Sequence, residues 1–219
     1  MTEVTKQYKY MFFDLDGTIT DSKPGITRSV AYALKYFGIE IQDLDSLDLF
    51  IGPPLSKSFE DLYGFDEEKA KLAVEKYREY YRVTGIFENS VYPGVEDMLK
   101  FLKSRGTNIV LATSKPEVFA RQIIEYFNLM EYFDFIAGSE LDGRRSEKED
   151  VIRYAIQENG ITELSKVLMI GDRKYDIEGA KSVGIDSAGV LYGFGTRGEL
   201  EEAGADYLFS NAMEICDIF

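Results

Sequence analysis

Asp14 and Asp16 lie one residue apart, directly behind the apolar run Met11-Phe12-Phe13, and Gly17 and Thr18 follow at once. In an extended chain residues i and i+2 project to the same side, so the two carboxylates open onto one small volume. Like charges that close need a cation, a shared proton or solvent. The same pattern, an apolar run that stops at polar groups, recurs twice. Asn108-Ile109-Val110-Leu111-Ala112 ends at Thr113 and Ser114, and Val167-Leu168-Met169-Ile170 ends at Gly171-Asp172. Carboxylates, a hydroxyl and exposed N–H groups are a set that suits Mg²⁺ together with a phosphoryl group. Each piece also has a plainer reading: Asp-Gly is a common turn, Thr113-Ser114 can cap the next helix, and Asp172 and Asp176 are acids suited to a helix amino terminus.

Composition removes the main competing chemistries. Histidine is absent, which excludes Ser-His and Cys-His triads and His-ligated zinc, and the single cysteine, Cys216, excludes an intrachain disulfide. Lys and Arg number 25 against 39 Asp and Glu, a formal charge of −14, so neither nucleic acid nor an anionic membrane is expected as a partner. No run of about eighteen apolar residues occurs, and MTEVTKQYKY lacks the basic start and apolar core of a signal peptide. A soluble, cytoplasmic protein is the expectation.

Those residues must be positioned by the elements around them. Met11–Phe13 reads as a strand buried on both faces. From Pro24 the apolar positions Ile26, Val30, Ala33, Leu34 and Phe37 recur at helical spacing up to Gly38; helices follow around Leu55–Tyr63 and from Asp66 to about Thr84. From Val91 onward helix and strand alternate, with strands at 108–112, 133–137, 167–170, 185–191 and 207–209 and helices at 95–104, 117–127, 148–158 and 175–183. The fold expected is α/β, a doubly wound, mainly parallel Rossmann-like sheet, with residues 1–20 and 89–219 forming the core and 21–88 an inserted all-helical cap. A chain of 219 residues can bury one such core with a small accessory unit. Ligands of open parallel sheets bind at the carboxyl ends of the strands, which is where Asp14, Asp16, Thr113, Ser114 and Asp172 fall. In the helical insert, Gly52 lies in the stiff Ile51-Gly52-Pro53-Pro54-Leu55 bend, the segment best suited to face a site, and Arg28 is a candidate anion contact.

Asp14-Leu15-Asp16-Gly17-Thr18 behind a hydrophobic strand resembles the first motif of the haloacid dehalogenase-like hydrolases. Thr113 with Ser114 resembles their second motif, Lys148 within Arg145-Ser146-Glu147-Lys148-Glu149 the third, and Gly171-Asp172-Arg173-Lys174-Tyr175-Asp176 the fourth. The insert is similar to the small helical cap of the phosphoglycolate phosphatase-like group, and the stretch Gly189–Arg197 resembles a loop of the same group. The resemblance implies that Asp14 attacks phosphorus, that Asp16 serves as general acid and base, and that Thr113, Ser114 and Lys148 bind the phosphoryl group. It implies Mg²⁺ held by Asp14, the Asp16 backbone carbonyl and Asp172, with Thr18 and Asp176 in support. The expected activity is hydrolysis of a small phosphorylated metabolite, phosphoglycolate-like or a nucleoside monophosphate, by a monomer or homodimer. A sugar phosphomutase, a pyrophosphatase and a phospho-aspartate regulatory module are the alternatives. The plain reading of Lys148 is a solvated helix face, since it sits in a run of charges beside Arg144 and Arg145.

Overall fold

The computed structural model describes residues 7–218. The expectation that the amino terminus carries no signal peptide rests partly on residues 1–6, which lie outside the described residues. Along the chain, β1 (Tyr10–Phe13) and the short β2 (Thr20–Asp21) precede α1 (Lys23–Tyr36), α2 (Leu55–Tyr63) and α3 (Glu67–Tyr81). After β3 (Ser90–Val91) come α4 (Val95–Ser104), β4 (Asn108–Pro116), α5 (Glu117–Tyr126) and β5 (Phe135–Ser139). The chain continues through α6 (Lys148–Glu158), β6 (Val167–Gly171), α7 (Lys174–Val183), β7 (Asp186–Val190), α8 (Arg197–Ala203) and β8 (Tyr207–Phe209).

The chain divides into two units, 21–90 and the remainder. In the larger unit the described residues form a six-stranded sheet in the order β5-β4-β1-β6-β7-β8, with every pair parallel. The doubly wound α/β reading is therefore borne out, and the direction of winding reverses about β1. Phe12 lies opposite Val110 on one side and Met169 on the other, and packs with Val151, Ala155 and Ala180 from α6 and α7. Met11 and Phe13 point to the other face by strand alternation and are equally buried, so the sheet is covered on both sides. Burying each such side chain contributes about 1.5–3 kcal/mol, and β1 is held fast where its last residue leads into Asp14.

The smaller unit is helical between its joining strands. Pro24 starts α1, Asp66 caps α3 by accepting the Lys69 N–H at 2.8 Å, and α1 packs on α3. The 43–50 region forms a 3-10 turn, Leu44–Phe50, whose Phe50 meets Phe59 at 4.9 Å between ring centroids. Gly25 is where this unit's backbones come closest: a β-carbon there would lie 1.9 Å from the Gly85 carbonyl oxygen.

Four departures from the sequence reading have local causes. The second join falls between Ser90 and Val91 rather than between 88 and 89, and β2 and β3, each of two residues, pair there and are too short to show a period. β4 runs to Pro116 instead of stopping at Ala112, through a register shift against β5. β5 begins at Phe135 rather than 133, because a 3-10 turn at Met130–Tyr132 and the Asp134 side chain, which accepts the Ile109 N–H at 2.8 Å, take up the preceding residues. Helix α8 was not expected, and its Thr196 caps it by accepting the Glu199 N–H at 3.2 Å.

Gly25→Ala should lower the thermal midpoint by an amount equivalent to about 2 kcal/mol, since backbone must move to admit the methyl group. Gly198→Ala, where a β-carbon meets nothing within 4 Å, should leave the midpoint level or raise it slightly. Thermal unfolding of the two variants beside the parent protein checks both.

Candidate active site

The turn after β1 is built around one carbonyl. The amides of Thr18, Ile19 and Thr20 all donate to the Leu15 oxygen, at 3.2, 2.9 and 3.0 Å. Thr18 thus hydrogen-bonds in the turn through its backbone N–H, and its Oγ1 is buried without a hydrogen-bond partner among the described residues. Gly17 adopts a positive φ of 82°, and a β-carbon there would lie 2.1 Å from Asp172 Oδ2. A glycine is therefore what lets the first acidic turn lie against the fourth-motif aspartate.

The donor oxygens of Asp14, Asp172 and Asp176 all lie within 4.8 Å of one another. Lys148 enters from the first residue of α6 and is 6% exposed, which overturns the solvated-face reading. Its Nζ lies 2.8 Å from Asp14 Oδ1 and 2.7 Å from Asp176 Oδ1, and donates to the Ala112 carbonyl at 3.0 Å. The neighbouring arginines are engaged elsewhere. Arg144 pairs with Glu140 and Asp142, whereas Arg145 donates to the Gly138 carbonyl at 2.8 Å and stacks over Tyr154. Asp176 is also the acid of the α7 cap, accepting the Arg173 N–H at 3.1 Å, so its plain reading and its place in the cluster hold together.

Burial pushes the Asp14 carboxyl up to about 6, with the Lys148 charge pulling against it. Asp172 is raised well above the ordinary carboxylate value by burial, then by the charges of Asp176 and Asp14, and the Phe194 N–H opposes this. For Lys148, burial disfavours the charge, yet Asp14 and Asp176 outweigh it and hold the ammonium protonated.

Thr113 is buried, and its Oγ1 accepts the Lys115 N–H at 3.2 Å; Ser114 beside it is half-buried. Asp16 does not join the three-carboxylate group through its side chain. Its Oδ2 instead lies 2.6 Å from the Lys115 Nζ. Arg28 and Gly52 belong to the helical unit. There Arg28 pairs with Glu88 at 2.6 Å and lines a cleft of 320 Å³ with Tyr32, Lys35 and Tyr80. Gly52 has a φ of 109°.

Sequence reasoning missed Lys115, and it marked the 189–197 stretch by resemblance without giving residues 192–195 a role in the site. The Phe194 N–H donates to Asp172 Oδ2 at 2.7 Å, and the Tyr192 hydroxyl donates to the Thr18 carbonyl at 3.0 Å. A β-carbon at Gly193 would lie 2.3 Å from both Asp172 Cβ and the Gly17 oxygen. The Gly-x-Gly spacing of 193–195 was the available signal, because it marks a close approach of backbone to something.

The cluster fits a hard divalent cation. Asp172 Oδ1 is buried with no hydrogen-bond partner among the described residues, and the donors are all oxygen. With all four acids ionised, Asp14, Asp16, Asp172 and Asp176 exceed Lys115 and Lys148 by two formal negative charges.

A strand-end acid pair, a buried lysine and a further acid cluster on a doubly wound sheet define a class of hydrolase, and residues 11–190 match the model of the haloacid dehalogenase-like hydrolases. This chain belongs to that family. It is 48% identical over 200 residues to a 5′-nucleotidase of Pseudomonas aeruginosa, covering 91% of this chain and 90% of that protein. It is 30% identical over 222 residues to phosphoglycolate phosphatase 1 of the same organism, covering 96% and 79% respectively. The crystal structure of a predicted phosphatase from Clostridium acetobutylicum superposes with a TM-score of 0.93 at 51% identity, covering 96% of this chain and 97% of that one.

Asp172→Asn keeps an oxygen for the Phe194 N–H but removes one charge from the cluster. In metal-free buffer at neutral pH the variant should melt about 2–4 °C above the parent. A carboxyl whose folded pKa is raised destabilises the fold while ionised, so this difference should shrink as pH falls and the parent carboxyls take up protons. Melting curves across the acid range, with chelator present, test it.

Proposed function

We propose that this hydrolase is a Mg²⁺-dependent phosphomonoesterase that works through an aspartyl-phosphate on Asp14. The observation that carries the reading is the Lys148 ammonium, buried and 2.8 Å from Asp14 Oδ1 beside a cluster of acids. A carboxylate attacks a phosphate only where charge repulsion is cancelled, and a buried fixed cation beside the nucleophile supplies part of that cancellation. Mg²⁺ would be held by the side chains of Asp14 and Asp172 and the backbone carbonyl of Asp16, with Asp176 in support, and it supplies Lewis-acid neutralisation of the phosphoryl oxygens.

In the first step an Asp14 oxygen bonds to phosphorus as the ester P–O bond breaks, and the departing oxygen takes a proton from the Asp16 carboxyl. In the second, water bonds to phosphorus as Asp16 takes its proton, and the Asp14–phosphorus bond breaks. Lys148, Thr113 and the Ser114 amide hold the phosphoryl oxygens in both steps. Among small phosphorylated metabolites a nucleoside 5′-monophosphate stands ahead of phosphoglycolate, on the higher identity to the 5′-nucleotidase. Arg28 and Gly52 are proposed contacts to the rest of the substrate. The formal charge of −14 supports a protein without nucleic-acid or anionic-membrane partners; it is proposed to work in the cytoplasm as a monomer or homodimer.

With Mg²⁺ present, the parent protein should release inorganic phosphate from p-nitrophenyl phosphate over many turnovers, and chelation should stop it. Asp14→Asn should reduce release by about a thousandfold or more while the melting curve stays cooperative. Full activity in that variant would remove Asp14 as the nucleophile. A panel of nucleoside monophosphates and 2-phosphoglycolate, ranked by kcat/KM, tests the substrate.

A further inference from the structure

The lysine two residues beyond the second-motif hydroxyl has no place in the chemistry above, yet its side chain is nearly as enclosed as that of Lys148, which is 4% exposed. The Lys115 side chain is 6% exposed, and its Nζ lies 2.6 Å from Asp16 Oδ2, 99 positions away in the chain. Placing an ammonium there is costly unless it is paired, and a packed apolar residue would serve the sheet as well. The position arises from local backbone: β4 changes register between Ala112 and Pro116, and within that stretch the Lys115 N–H donates to Thr113 Oγ1 at 3.2 Å. One irregularity thus fixes both the phosphate-binding hydroxyl and the lysine that holds Asp16.

The two oxygens of Asp16 are not equivalent. Oδ2 is taken by Lys115, while Oδ1 is buried and has no hydrogen-bond partner among the described residues. A carboxylate pinned through one oxygen cannot rotate without breaking a largely enclosed ion pair, so the other oxygen has a defined direction. We infer that Lys115 is a positioning residue: it holds Asp16 by Oδ2 so that Oδ1 is the atom that gives the proton to the leaving oxygen and takes it back from water. This rests on the phosphomonoesterase reading. Lys148 and Lys115 then divide the work, the first serving the nucleophile and the second the acid.

The consequence is selective. An aryl phosphate such as p-nitrophenyl phosphate departs as a stable anion and needs little proton transfer, whereas an alkyl ester such as a nucleoside 5′-monophosphate requires it. Lys115→Met should therefore lower the ratio of alkyl-ester to aryl-ester kcat/KM by about tenfold or more, and Lys115→Arg should restore part of it. If Lys115 acts through Asp16, adding Lys115→Met to Asp16→Asn should change that ratio by less than about twofold. A ratio unmoved in Lys115→Met, whatever happens to the absolute rates, overturns the inference and leaves the phosphatase reading standing. A parent protein inert toward both esters removes the reading, and this inference with it. A second measurement needs no turnover: in metal-free protein the Lys115 ammonium protons should exchange slowly by nitrogen-resolved NMR and become fast in Asp16→Asn. Fast exchange in the parent would show that the pair does not exist in solution.

Discussion

Charge crowding is the constraint from which the rest of this structure follows. Asp14, Asp172 and Asp176 bring oxygens within 4.8 Å of one another, the first half-buried and the other two buried, and Asp16 stands beside them in sequence. Left to themselves, such groups would protonate or push apart. What keeps them together is distributed over the whole larger unit. Lys148 arrives from α6, Lys115 from the irregular end of β4, and the Phe194 amide from the loop after β7. Glycines at 17 and 193 remove the β-carbons that would otherwise wedge the turn and the loop away from Asp172. None of these elements is adjacent to another in sequence, and a parallel sheet whose strands end at one edge is what lets them meet.

Holding like charges in place is a use of stability, and the surrounding fold shows where that stability comes from. β1 is buried on both faces by large apolar side chains and is paired on both edges, so the turn carrying Asp14 and Asp16 cannot drift. On the phosphomonoesterase reading, a cation and a phosphoryl group would offset the crowding when bound.

Much of this was legible in the chain, for identifiable reasons. β1 was visible because a strand buried on both faces reads as an unbroken apolar run, and α6 because its apolar positions keep helical spacing from Lys148 to Glu158. The acids were visible because polar groups that interrupt such runs have no business in a core. What was not legible depends on partnership at a distance. Lys148 looks solvated in sequence because its neighbours are charged, and only α6 packing against α7 turns its stem inward. Lys115 was passed over because nothing local to Thr113-Ser114-Lys115 says that the strand continues with a shift of register. Apart from the resemblance, the 192–195 loop showed only a turn signal, since a backbone amide has no sequence signature. Helix α8 was lost for a different reason: with seven residues it is too short for periodicity to declare itself.

The balance of charge also bears on how a phosphate could enter at all. The chain as a whole is strongly anionic, and with all four acids ionised its own side chains leave the acid cluster negative even after both lysines are counted. A phosphate dianion approaching such a surface is repelled at long range and, without further positive charge, at short range too. Neither lysine is spare: Lys148 is shared between Asp14 and Asp176, and Lys115 is bound to Asp16. Two ammonium groups that are already committed to carboxylates cannot by themselves neutralise a phosphoryl group. The unpartnered, buried Oδ1 of Asp172 is the complement to that shortfall, an acceptor placed where added positive charge would serve both the protein and the substrate. The acids thus outnumber the lysines, and on the phosphomonoesterase reading that excess would favour a cation and a phosphate together over either one alone.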